Sequence, residues 1–270
     1  MEIWTEKKKN KVINDAISFV KEGGEIANKY FRKDLTIENK DSLKFDPVTE
    51  ADKNTELKIR ELIEKHYPLD GILGEEFGIK EGTSNLTWVI DPIDGTKAFI
   101  SGMPSWGVLL SLVSNSQAIL GVIYQPFTNE ILVGGFGNAF LITKQGSKIK
   151  KPVRVRKCES LNRAIISTSY PKSPVKEHQS NLDEALRKSK LDRYGLDCYA
   201  YILLAIGQID AVIEFGLQEY DIRAPEALIL SAGGIITNLD GSYPLSGGDI
   251  IACGDKRVHQ ELLDIFRKGK

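Results

Sequence analysis

The chain predicts an α+β / α/β fold, because helical periodicity at the N-terminus gives way to short β-prone runs and then to alternating strand and helix patterns. Its 270 residues can bury a large core in one domain or in two closely packed ones. A formal net charge of -1 gives no pull toward nucleic acid or an anionic membrane surface and favours a small dissolved ligand.

The first element is a helix over residues 11–31, with Val12, Ile13, Ala16, Ile17, Val20, Ala27 and Phe31 on one face and Gly23-Gly24 as its expected weak point. The second is better delimited. Thr49 with Asp52 three residues on can cap its N-terminus, Ile59, Leu62 and Ile63 form its apolar side, and Pro68 stops it. Between Leu86 and Leu141 the runs 88–90, 108–113, 119–124 and 131–133 are spaced by Asn, Ser and Gly, which predicts a meandering sheet. After the basic stretch 148–157 come a strand at 164–167, helices at 176–188 and 198–206 and a strand at 211–215. A helix at 225–232, strands near Ile235 and Ile250, and a helix from His259 complete the pattern. The change of texture divides the chain into an N-terminal α+β domain, 1–150, and a C-terminal α/β domain, 151–270. No repeat or low-complexity tract interrupts either.

Cys158, Cys198 and Cys253 are odd in number and far apart, as expected of buried thiols in a reducing compartment. The N-terminus lacks an apolar signal core, and no apolar run approaches the roughly 20 residues of a membrane span. The expected location is the cytoplasm.

The most informative run is DPIDGTKAFISGMPSWG, 91–107, which begins where the apolar strand 88–90 ends. In a tight turn Asp91, Asp94 and the Ile93 carbonyl can share one side, an all-oxygen set that suits magnesium. Gly95 and Thr96 then open a short helix whose free N–H groups offer a phosphate site. Alone, Asp-Pro-x-Asp-Gly is commonly a surface turn. Three more acidic segments change the weighing: FDPVTEAD with Asp46 and Asp52, GILGEEFG with Glu75 and Glu76, and EFGLQEYD from Glu214 to Asp221. Two carboxylates about 4 Å apart repel by roughly 4 kcal/mol at an effective dielectric of 20, so converging acids need a cation or protons.

The ordered set FDPVTEAD, GEE, DPIDGT and YD followed by SAGG resembles the inositol monophosphatase superfamily from about residue 11 to 265. That resemblance implies a layered αβαβα sandwich of the sugar-phosphatase type, hydrolysis of a small phosphorylated substrate, and a homodimer. It implies two Mg2+ ions, and weakly a third: Glu75, Asp91 and the Ile93 carbonyl for one, Asp91, Asp94 and Asp221 for the other. Thr96 with Asp46 would orient and deprotonate the attacking water, and Glu75 belongs to the same catalytic group. Gly95 and Thr96 would hold phosphate oxygens, Asp94, Asp197 and Glu214 would touch the substrate, and Glu76 and Asp52 would support Glu75 from behind.

Within the superfamily, DPIDGTKAFISGMPSWG and YGLDCYAY, 194–201, look most like the histidinol-phosphate phosphatases. Inositol phosphatases usually carry Asn where this chain has Ala98, while Leu196 and Leu230 depart from the histidinol branch. Acidic Asp197 and Glu214 suit histidinol phosphate, which carries an ammonium and an imidazole. Competing expectations are an inositol or bisphosphorylated-nucleotide phosphatase and a metal-binding regulator without activity. Asp197 as a helix cap also stays open. His66, His178 and His259 read as surface residues and Trp88 and Trp106 as core, while Lys97 is open between pairing with phosphate and facing solvent. Arg223 is expected to reshape the cage slightly.

Overall fold

A computed structural model describes residues 4–33, 37–39, 47–143, 149–173 and 176–267. Helix α1 (Glu6–Tyr30) starts where the Lys8 N–H donates to Thr5 Oγ1, and buries Val12, Ala16, Phe19 and Val20. It runs unbroken through Gly23 and Gly24, contrary to the expected weak point. A Cβ on Gly23 would stand 2.8 Å from Ile59 Cδ1, and one on Gly24 2.5 Å from Tyr124 Cε1. The two glycines therefore let α1 approach its neighbours closely, and that packing offsets a helix-propensity loss of roughly 1 kcal/mol each.

Strands β1 (Ile37–Asn39) and β2 (Pro47–Thr49) form a small antiparallel pair leading into α2 (Glu50–His66). The expected capping box is present: Thr49 N–H and Oγ1 donate to Asp52 Oδ2 at 2.8 and 2.7 Å, and Ala51 N–H donates to Thr49 Oγ1. The helix ends before Pro68, whose ring disfavours a helical residue ahead of it.

Eight strands then make the first sheet: β3 (Gly71–Gly74), β4 (Gly78–Lys80), β5 (Leu86–Asp94), β6 (Gly107–Ser114), β7 (Gln117–Gln125), β8 (Glu130–Gly135), β9 (Asn138–Thr143) and β10 (Ile149–Pro152), with α3 (Thr96–Ile100) between β5 and β6. The order is β10-β9-β8-β7-β6-β5-β3-β4, antiparallel apart from the parallel pair β3–β5. The second sheet, ordered β12-β11-β13-β15-β14, holds β11 (Ile165–Thr168), β12 (Leu191–Tyr194), β13 (Ala211–Leu217), β14 (Ile235–Asn238) and β15 (Gly248–Cys253). Its helices are α4 (Gln179–Lys188), α5 (Tyr199–Ala205), α6 (Glu219–Ser231) and α7 (Lys256–Arg267).

Three apolar cores stack these elements into five layers. On one face of the first sheet, Val108, Leu110, Leu112, Leu120 and Val122 pack on α1 and α2. From the opposite face, Leu109, Ile123 and Leu132 meet α5 and α6, which also cover Val212, Ile236 and Ile250 of the second sheet. Ile166, Ala211, Ile213 and Ile251 complete the stack beneath α4 and α7. The period-2 alternation within β6 and β7 thus feeds two cores at once, which is why those strands read as continuous apolar runs. The arrangement is the αβαβα sandwich that the resemblance implies.

Several short strands escape the periodicity reading. β3 and β4 flank a turn only a few residues long, and the edge strands β10 and β12 carry Lys, Asp and Arg, which masks an apolar pattern. Helix α6 begins at Glu219, earlier than expected from Pro225, and carries that proline in its interior, where the missing N–H costs one helical hydrogen bond. His259 is 7 % exposed and its Nε2 lies 2.9 Å from Thr237 Oγ1, so it is a core histidine rather than a surface one. The three cysteines are free and buried, as expected. Among the described residues no helix is long and apolar enough to cross a membrane.

Candidate active site

The end of β5 carries Asp91, Ile93 and Asp94, and its register against β6 shifts between Asp91 and Asp94. The shift breaks the alternation that would send residues three apart to opposite faces. Parallel pairing sets Gly74 beside Ile90, and the Glu75 N–H donates to Ile90 O at 3.3 Å, so Glu75 follows β3 alongside Asp91. Asp221 arrives from the other half at the third position of α6, where Gln218 N–H donates to its Oδ2 at 2.6 Å.

Ligand oxygens of Asp91, Asp94 and Asp221 lie within 4.8 Å of one another, Asp91 buried and the other two partly so. Burial raises the Asp91 carboxyl well above the usual carboxylate range, and the charges of Glu75, Asp94 and Asp221 raise it further. Asp94 is pushed up to about 8, first by burial and then by Asp221 and Asp197. Both shifts come first from burial, and the crowding of like charges adds to it. An all-oxygen, net-negative set of this kind fits a hard divalent cation, magnesium above all.

Gly95 follows with φ 82° and ψ 41°, a left-handed conformation that turns the chain from β5 into α3. A Cβ there would also stand 2.9 Å from Asp197 Cβ. Thr96 Oγ1 donates to Ile93 O at 3.2 Å, on the carbonyl expected to bind metal. Asp46, the expected acidic partner of Thr96, lies outside the described residues.

The two halves are joined at the acids themselves. Cys198 N–H donates to Asp94 Oδ2 at 2.6 Å, and Ser105 Oγ donates to Asp197 Oδ2 at 3.1 Å. The N-cap position of α5 falls to Cys198, so the carboxylate serving that helix start is Asp94, and the helix-cap expectation for Asp197 is not met. Asp197 instead adopts φ 45° and faces a cavity of about 390 Å³, together with Ser169, Tyr170, Tyr201, Glu214 and Phe215. Burial pushes the Glu214 carboxyl up to about 8, against the pull of the Ser169 N–H and hydroxyl, which donate to its Oε1 at 2.8 and 3.0 Å. Burial also raises Asp197, while its hydrogen bond with Ser105 and the charge of Lys97 lower it. A second cavity of about 540 Å³ holds Glu75, Gly95, Thr96 and Gln218, and shares Asp94, Lys97, Tyr170, Asp197 and Asp221 with the first. Both cavities reach Asp94, Asp197 and Asp221, while Glu75, Gly95 and Thr96 line only the second and Glu214 only the first.

A profile of the inositol monophosphatase family matches residues 8–270. The chain belongs to the inositol monophosphatase family. Family relatives include the chloroplastic bifunctional phosphatase IMPL2 of Arabidopsis thaliana, 37% identical over 252 residues, which cover 89% of this chain and 70% of that protein. The Nus factor SuhB of Haemophilus influenzae is 31% identical over 96% of each chain, and the histidinol-phosphatase of Mycobacterium tuberculosis 30% identical over 87% of this chain and 90% of its own. The inositol monophosphatase of Zymomonas mobilis superposes with a TM-score of 0.84 at 32% identity, covering 98% of this chain and 100% of that one. The chain is thus a phosphatase of the inositol monophosphatase superfamily, a family that generally uses magnesium.

Asp52 sits in the capping box of α2, and Glu76 in the turn after β3. That turn has a support the motif reading missed: fully buried Glu56 accepts from the N–H groups of Glu76 and Phe77 at 2.7 and 3.2 Å, and from Arg60 Nε at 2.7 Å. Also missed were Ser105, Ser169, Gln218 and Tyr201, common residue types that only the fold brings near the acids. Trp88 and Trp106 are fully buried, as expected. Lys97 Nζ lies 5.1 Å over the Tyr170 ring where the two cavities meet. Arg223 is paired with Glu219 and Glu226 and reaches Ser116 O at 3.1 Å, which ties α6 to the turn between β6 and β7.

Proposed function

We propose that the chain hydrolyses L-histidinol phosphate to L-histidinol and phosphate with magnesium. The observation that carries this reading is the pair of acids, Asp197 and Glu214, facing the cavity next to the metal-binding trio. A leaving alcohol bearing an ammonium would supply the positive charge that draws those acids into their ionised forms, whereas a neutral polyol supplies none. A family relative named as a histidinol-phosphatase is consistent with it.

Glu75, Asp91 and the Ile93 carbonyl would hold one magnesium ion, and Asp91, Asp94 and Asp221 a second. Bound magnesium supplies Lewis-acid stabilisation of the charge that builds on phosphoryl and leaving oxygens. The Gly95 and Thr96 N–H groups would orient the phosphate. Thr96 Oγ1 would take the proton of the attacking water and pass it toward Asp46, a general-base contribution of about 10² to 10⁴-fold. Water oxygen bonds to phosphorus as the ester P–O bond breaks, and the electron pair leaves on the alcohol oxygen, which takes up a proton from solvent water. Glu76 and Asp52 would act on Glu75 through its loop rather than on substrate.

Phosphate release from histidinol phosphate, inositol 1-phosphate, fructose 1,6-bisphosphate and 3'-phosphoadenosine 5'-phosphate, with and without magnesium, tests the proposal. A kcat/KM at least tenfold higher for histidinol phosphate is expected. Preference for another ester would overturn the substrate and leave the acid cage in place. A second reading, a metal-binding regulator without turnover, requires no magnesium-dependent release from any ester.

A further inference from the structure

Five buried side-chain polar atoms have no hydrogen-bond partner among the described residues, and of these only the Tyr201 hydroxyl belongs to a residue lining the cavity that holds Asp197 and Glu214. Tyr201 is 3 % exposed and stands on α5, one turn after Cys198, whose N–H meets Asp94. Its acidic neighbours in the cavity already have partners: Asp197 has Ser105, and Glu214 has Ser169. An unpaired buried hydroxyl works against folding, and phenylalanine would fill the same volume without that cost. Burial, with the nearby charges of Glu214, Asp94 and Asp221, holds the phenol well above its usual range, so it stays protonated and can both donate and accept.

We infer that Tyr201 determines specificity, its hydroxyl hydrogen-bonding the polar end of the leaving alcohol, remote from phosphate, in the space it shares with Glu214 and Phe215. For histidinol phosphate that end is an imidazole nitrogen, which the phenol can meet in either tautomer while Asp197 and Glu214 face the ammonium. The inference rests on the proposed reading of this cavity as the pocket for the leaving alcohol.

The test compares wild type with Tyr201→Phe on histidinol phosphate and on 2-aminoethyl phosphate, which keeps the ammonium and lacks the ring. For histidinol phosphate kcat/KM should fall about tenfold, chiefly through KM, while the loss on 2-aminoethyl phosphate stays below twofold. The melting temperature of the variant should be equal or higher, since an unpaired hydroxyl is removed. Equal losses on both esters, no loss on the ring-bearing one, or a lowered melting temperature would overturn the role. If wild type prefers a different ester, the substrate proposal fails and the same comparison runs with that ester. A selective loss then still supports Tyr201, and an unchanged kcat/KM overturns it.

Discussion

Asp94 has the most demanding position in the site, because one carboxylate faces the trio through its charge and caps α5 through Oδ2. Asparagine keeps an oxygen for the Cys198 N–H and removes the charge. Asp94→Asn should therefore fold normally by circular dichroism and lose magnesium-dependent turnover by at least about a hundredfold. Near-normal activity would remove Asp94 from the metal set. Asp197→Ala separates substrate from chemistry, because it should weaken histidinol phosphate far more than a neutral phosphate ester. Equal losses on the two would reduce Asp197 to the partner of Ser105. Acids such as Asp91, Asp94 and Asp221 were legible in the sequence because they sit in short, unusual motifs at strand and helix ends. Ser169 and Tyr201 were not, since a serine and a tyrosine carry no signal until β11 and α5 are folded against β13.

Elements place these residues by long-range contacts that no local pattern records. The clearest case is α2, predicted correctly from its cap and apolar face, whose buried Glu56 also holds the turn carrying Glu75 and Glu76. Gly74 makes room for it, since a Cβ there would fall 2.0 Å from Glu56 Oε1. The pattern of α2 gives no reason for a charged residue on its buried side; the reason lies 20 residues away in a turn that needs acceptors. Removing the carboxylate leaves Arg60 buried without its partner and two N–H groups unpaired, a loss of about 3–5 kcal/mol. Glu56→Ala should lower the urea midpoint accordingly and raise the magnesium concentration for half-maximal activity. An unchanged magnesium requirement would show that the Glu75 turn holds its shape without α2.

Across the whole molecule the acids make stability depend on pH and metal together. Asp94 and Glu214 are both pushed up to about 8, from ordinary values of 3.8 and 4.5. Between those limits the folded chain without metal binds more protons than the unfolded chain. Their contribution is therefore complete below about pH 4 and lost as pH rises through about 8. Magnesium at the proposed site would compete with those protons for Asp94 and its neighbours, so its binding should strengthen as pH rises. The metal-free protein should melt at progressively lower temperature from pH 5 to pH 8.5, and saturating magnesium should raise the melting temperature by an increment that grows over the same range. Glu214→Gln should flatten the metal-free slope without removing the increment, because Glu214 lies in the other cavity from Glu75 and Thr96. Asp94→Asn should remove most of the increment. A magnesium increment that is constant with pH, or absent in the wild type, would mean that the close approach of Asp91, Asp94 and Asp221 is relieved by protons rather than by a divalent cation.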